Sequence, residues 1–253
     1  MSAVFASQHL QTALIVFVRL GVILSLLPGF SASYVSGRIR LLLAVALSVL
    51  IAPVVAASLP PLPDAMGPFV RLIVGEAVIG AFLGMIPRIA VSALQVAGTL
   101  TSYFSSLTSA LIQDPVVEQQ SSILAGFFGT LGVVLIFATG LHEPMLRGLV
   151  SSYQVFPAGE GLMLDDAAEA LTRAVTQSFA LGLQIAMPPL IGCIVSNVAL
   201  GLLGRLMPQL NVFFFGMPLQ ISLQLFLVMI TLSGASILFL NDFANVLSIF
   251  GRG

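Results

Sequence analysis

Gly204-Arg205-Leu206-Met207-Pro208-Gln209-Leu210-Asn211-Val212-Phe213-Phe214-Phe215-Gly216-Met217-Pro218 joins two long apolar runs, residues 174–203 and 212–240. So short a connection makes the runs antiparallel neighbours, and the stretch reads as the tip of a helical hairpin. Pro208 cannot continue a helix, and its ring pushes Met207 out of the α region. Asn211 stands where the N-cap of the second arm belongs. Arg205 is the one formal charge in the turn. It suits the C-terminal end of the first arm and marks the tip as cytoplasmic.

Composition says what surrounds this hairpin. Of 253 residues, 58% are hydrophobic and only 8% charged, with a mean hydropathy of +1.11. Soluble domains carry about a quarter of their residues charged. Every basic residue is Arg. So little polar surface implies an exterior that meets lipid or apolar protein, and the expected fold class is all-α and membrane-associated. At about 20 residues per span, the length accommodates about six spans. A net charge of −1 argues against nucleic acid as a partner. The single Cys193 has no partner for an intramolecular disulfide and reads as packing. Met1–Gln11 lacks a basic n-region, so no cleavable signal is expected.

The first run, Leu10 to Leu27, is closed by Pro28-Gly29 and interrupted by Arg19. An ionisable side chain inside a span faces protein or a wet cavity. For Arg19, an inter-subunit ion pair or a snorkelling side chain is the plainer reading. Phe30–Ile39 forms a polar turn, with Arg38 in it and Arg40 just beyond. The second run, 41–59, holds Pro53, which bends it or ends it early. After a Pro-rich linker, 60–68, the third run carries Gly80-Ala81-Phe82-Leu83-Gly84, a spacing that lets helix backbones approach. Arg71, Glu76 and Arg88 lie at three depths of that run and cannot all face lipid. With Arg19, they are expected to pair within an assembly rather than to line a wet path.

Leu94 to Ser122 is rich in Ser, Thr and Gln, carries Tyr103-Phe104, and ends towards Asp114-Pro115. It is either a cytoplasmic loop or polar-aromatic chain lining a cavity. The fourth run, 123–141, has a stripe of Gly126, Gly129 and Gly132. His142-Glu143 follows, but Leu146 stands where an HExxH site needs its second His, so zinc-protease chemistry is excluded. Two His and one Cys supply no metal site, and no cofactor is expected. Residues 151–172 read as a polar connection in which Asp166-Ala-Ala-Glu169 has capping-box spacing, favoured over acid–base chemistry. Pro188-Pro189 should bend the fifth run; the sixth contains Pro218 and ends at Asn241-Asp242. No nucleophile–base constellation survives, so no enzyme is expected. Placing Arg38, Arg40 and Arg205 inside puts the Pro-rich linker, the acidic 150–170 region and the N-terminus outside.

The sequence Leu-Gly-Leu-Leu-Gly-Arg-Leu-Met-Pro-Gln-Leu-Asn-Val-Phe, 200–213, followed by Gly-Met-Pro-Leu-Gln-Ile, 216–221, resembles the C-terminal signature of the FliR family. Arg205, Pro208, Gln209, Leu210, Asn211, Gly216 and Pro218 carry the match. Phe17-Val18-Arg19-Leu20-Gly21, Leu27-Pro28-Gly29-Phe30 and Gly75-Glu76 with Gly80 and Gly84 are similar to the family's earlier segments. His142 resembles a His common after the fourth helix, there for local hydrogen bonding. The resemblance implies an export-gate subunit of the flagellar type III secretion apparatus, with injectisome relatives.

By that resemblance, residues 1–170 form a FliP-like helical portion and 171–253 a FliQ-like hairpin. The chain is then integrated into a closed helical cone around a channel for unfolded secretion substrates. The implied partners are FliP-like and FliQ-like subunits, an FlhB-like switch protein at the cytoplasmic mouth, and the lipid bilayer of the bacterial inner membrane within the flagellar basal body. Bulky side chains before an Asp-Pro pair help close the family's channel; here the candidates are Tyr103, Phe104, Leu107, Leu111 and Ile112. Where the family often has Phe in this stretch, this chain has Ser109 and Ile112. The alternatives are a virulence-type export gate and a small solute or ion transporter. A transporter would gather its ionisable residues at one midplane site.

Overall fold

The structure, a computed structural model, describes residues 2–32, 34–56, 59–60, 63, 65–104, 123–207 and 212–248. These are helical apart from short turns, with no strand among them. Among the described residues seven helices follow in order: α1 (Ser2–Leu26), α2 (Gly37–Val55), α3 (Met66–Phe104), α4 (Ile123–Ala138), α5 (His142–Val155), α6 (Leu164–Leu206) and α7 (Val212–Ser248). The all-α expectation holds.

Helix boundaries follow local chemistry in some places and depart from the sequence reading in others. Ser36 caps α2 by accepting from the Ile39 N–H at 3.4 Å. The helix ends at Val55, two residues past Pro53 and short of the expected Leu59. The turn before it is tied down by Arg40, which donates to the carbonyls of Phe30 (3.0 Å), Ala32 (3.4 Å) and Val35 (3.5 Å). α3 does not end where its sequence turns polar. Thr99, Thr101 and Ser102 return their hydroxyls to the carbonyls of Gln95, Ala97 and Gly98 at 2.8, 2.7 and 3.0 Å, so the helix tolerates them. The fourth run breaks after Ala138 at Gly140, whose φ of 76° suits a residue without a Cβ.

The expected polar connection at 151–172 shrinks to Phe156–Met163, because α5 runs through Ser151 and Ser152 to Val155 and α6 begins at Leu164. The capping box does not form. Asp166 lies inside the first turn of α6 rather than before it, and Glu169 pairs instead with Arg173 at 2.6 Å. The first-turn acids, Asp165 and Asp166, do suit the helix dipole. Pro188 and Pro189 lie inside α6, which continues past both.

Among the described residues, four helices are long and apolar enough to cross a membrane: Gly37–Val55, Met66–Phe104, Leu164–Leu206 and Pro218–Ser248. A fifth span arises if the broken pair α4–α5 counts as one. Against the six spans expected from run lengths, the described residues therefore supply four or five. The first run supplies only a shorter apolar helix, Thr12–Leu26, and it is a core element. Ile15, Val16, Leu20, Ile23 and Leu24 are all buried.

The chain divides into two compact units. The first comprises Met1–Ala90, Phe137–Val175 and Phe243–Gly253. In it α1 packs along α2, and Phe82 meets Phe156 edge-on at 5.9 Å. Gly80 and Gly84 of α3 sit against the α1 backbone. A Cβ at Gly80 would lie 2.7 Å from the Arg19 carbonyl, and one at Gly84 3.1 Å from that of Ile23. The GxxxG spacing is thus a real close approach. The second unit comprises Val91–Ile136 and Thr176–Asp242. Leu94, Phe128, Ile185, Val228 and Phe239 are buried there, and Ser92 and Ser178 hydroxyls meet at 3.2 Å. The boundary expected at residue 170/171 is of another kind, likeness to two partner families, and α6 is continuous across it.

Candidate functional site

The sequence singles out three groups of residues: intramembrane charges, the hairpin tip and a channel-closing segment. The charges are the most completely defined. α1 places Arg19 and α3 places Glu76, both 0% exposed. Arg19 Nε donates to Glu76 Oε2 at 2.6 Å and Nη2 to Oε1 at 3.0 Å, a bidentate fork. Nη2 also donates to the Phe156 carbonyl at 3.0 Å, and Nη1 to the Ser152 carbonyl (3.3 Å) and Oγ (3.4 Å). All five guanidinium donors are thereby used. The guanidinium carbon lies 3.9 Å from the centre of the Tyr153 ring, a cation–π contact.

This corrects the expectation that Arg19 and Glu76 await partner subunits. They neutralise each other inside one chain, tying α1, α3 and α5 together. A buried pair whose guanidinium donors are all used has no free donor for a substrate, and what it does is hold helices together. Arg71 and Arg88 are not brought to this centre. Both are exposed and have no ion pair among the described residues. Ser152, Tyr153 and Phe156 escape a sequence reading because they lie in a stretch whose polarity suggests a connection. A signal for them does exist: Met145, Leu149, Ser152 and Tyr153 recur at helical spacing on one buried stripe.

At the hairpin, Arg205 lies exposed in the last turn of α6, as its charge favours. Pro208, Gln209, Leu210 and Asn211 lie outside the described residues. The antiparallel arms are confirmed by cross-contacts. Gly216 sits against Leu200, Gln220 Nε2 reaches Cys193 Sγ at 3.8 Å, and Gly192 sits against Leu227. Pro218 is exposed inside α7. Of the channel-closing candidates, Tyr103 and Phe104 form the end of α3, with Tyr103 64% exposed. Leu107, Leu111 and Ile112, like Asp114-Pro115, lie outside the described residues.

No three His, Cys, Asp or Glu side chains come together among the described residues. His142 stacks on Phe137 at 5.1 Å, and its buried Nδ1 has no hydrogen-bond partner there. Stacking, not the expected local hydrogen bond, is what it makes.

Long apolar helices, a buried ion pair within the chain and a hairpin whose arms meet closely define an all-helical membrane protein. The profile of the family described as "Bacterial export proteins, family 1" matches residues 10–246, and the chain belongs to that family, in which FliR proteins are found. The flagellar biosynthetic protein FliR of Caulobacter vibrioides is 33% identical over 250 residues, covering 99% of this chain and all of its own. FliR of Aquifex aeolicus is 29% identical over 99% of this chain and 96% of its own. The secretion system apparatus protein SsaT of Salmonella typhimurium is 32% identical, over 63% of this chain and 62% of its own.

Proposed function

We propose that the chain is an export-gate subunit of a flagellar type III secretion apparatus, acting in the bacterial inner membrane without bond-making chemistry. With FliP-like and FliQ-like subunits, and an FlhB-like protein at the cytoplasmic mouth, it builds the channel for unfolded flagellar proteins. The observation that carries this reading is end-to-end similarity to flagellar FliR proteins. Similarity to the secretion-system relative covers only 63% of the chain, which favours the flagellar machine over the virulence one. The solute-transporter reading needs free ionisable groups at one site, and the buried Arg19–Glu76 pair leaves none there. Within the gate, residues 171–253 serve as the FliQ-like hairpin, 1–170 as the FliP-like portion, and the segment 103–112 as the resting closure.

The test is genetic. Cells lacking the chain should neither secrete flagellar proteins nor swim, and the wild-type gene should restore both. Normal swimming without it would overturn the reading. A second variant addresses closure. A channel wide enough for polypeptide leaks ions unless bulky uncharged side chains fill it at rest. Replacing Phe104, Leu107 and Ile112 together by Gly should leave the complex assembled while cells become permeable to small ions. An assembled complex in a tight membrane would show that closure lies elsewhere.

A further inference from the structure

The α6–α7 hairpin changes character along its length. Away from the tip the buried positions of both arms are apolar, with Leu181 and Ile185 on α6 and Val228, Ala235 and Phe239 on α7. Towards the tip the inner seam carries Gly192, Cys193, Gly216, Gln220 and Gln224, with Leu227 against Gly192 and Leu200 against Gly216. The outer faces there are apolar and exposed, with Ile191, Ile194, Val198, Leu219, Leu223 and Phe226. Such an inside-out pair is normally zipped by satisfied hydrogen bonds across the seam. Here it is not. Gln224 is 1% exposed, and neither its Oε1 nor its Nε2 has a partner among the described residues. Gln220, one turn away, reaches only the Cys193 sulfur at 3.8 Å, which also takes Asn197 Nδ2 at 3.3 Å. Sulfur is a weak acceptor.

We propose that the tip half of this hairpin, 190–206 against 212–226, is built to part along its inner seam. The unpartnered Gln224 amide keeps the closed state marginal, and Pro188-Pro189 is the hinge. A buried amide with no partner favours any arrangement in which it meets water or a free carbonyl. Opening uncovers Leu200 and Leu227, while the other large apolar side chains of the tip half already point outward. The hinge sits where it is needed. Pro188 and Pro189 remove two backbone donors from α6, freeing the carbonyls of Gln184 and Ile185 at the base of the polar seam. Below them the buried apolar stretch stays packed.

Cys193, the single cysteine of the chain and half-buried in the seam, reports the opening. The experiment measures its rate of labelling by N-ethylmaleimide in membranes from cells making the full chain. Gln224→Leu removes the unpaired amide and should slow labelling several-fold at wild-type protein level. The double change Pro188→Ala with Pro189→Ala restores both donors and should slow it likewise. If the Gln224→Leu protein fails to accumulate, labelling of the double proline variant decides between a parting seam and a fixed one. Unchanged labelling in the accumulating variants overturns the proposal, because the seam would then be static. The assay reads the hairpin and not secretion, so its outcome stands apart from the export reading.

Discussion

Arg19 and Glu76 stand 57 positions apart and meet as one buried unit. Burying two charges is offset by their attraction only when every donor and acceptor is used. The bidentate fork, two backbone carbonyls, the Ser152 hydroxyl and the Tyr153 ring meet that condition for the guanidinium. Removing one partner strands the other in an apolar interior, which costs about 3–5 kcal/mol. Glu76→Gln should therefore lower the thermal stability of the detergent-extracted protein sharply. Arg19→Leu with Glu76→Leu should recover much of the loss, because no uncompensated charge remains. Equal stability of the single and double variants would show that the pair contributes little. Each residue is legible in the sequence as an anomaly within an apolar run. That they answer each other is not, because pairing across 57 positions is a property of helix packing.

Among the elements, α3 shows how packing decides what a repeated residue means. Gly75, Gly80 and Gly84 look alike in sequence. A Cβ at Gly75 meets nothing within 4 Å, whereas one at Gly80 meets the Arg19 carbonyl at 2.7 Å, and backbone cannot swing aside. Gly80→Ala should destabilise by about 1–3 kcal/mol through overpacking. Gly75→Ala should be neutral or gain up to about 1 kcal/mol from helix propensity. Denaturation of the two variants side by side checks this, and matching midpoints would sink it. Polarity misleads at the C-terminal end of the same helix. Thr and Ser satisfy their hydroxyls within it, so the polar stretch from Leu94, read as a loop or a cavity lining, begins as eleven more helical residues, 94–104.

As a whole molecule, the chain exposes aliphatic side chains along α2, α6 and α7, among them Leu42, Leu50, Ile191, Val195, Met229 and Ile230. Exposed apolar faces of this extent mark surfaces that meet lipid or protein. Made alone, the chain should extract in detergent as a heterogeneous, protease-sensitive species. Made with FliP-like and FliQ-like subunits, it should copurify in one defined complex. A stable, monodisperse chain without partners would count against assembly. What the sequence determined by itself is the class: composition forces an apolar exterior, run lengths force helices, and the tight Gly204–Pro218 connection forces antiparallel arms, since each is a local or summed property. What only the tertiary structure decided is which charges are spent internally, which glycines are contacts, that the first run is core, and that the hairpin seam holds buried polar side chains. Those depend on which helix face meets which, and distant segments settle that only when they pack.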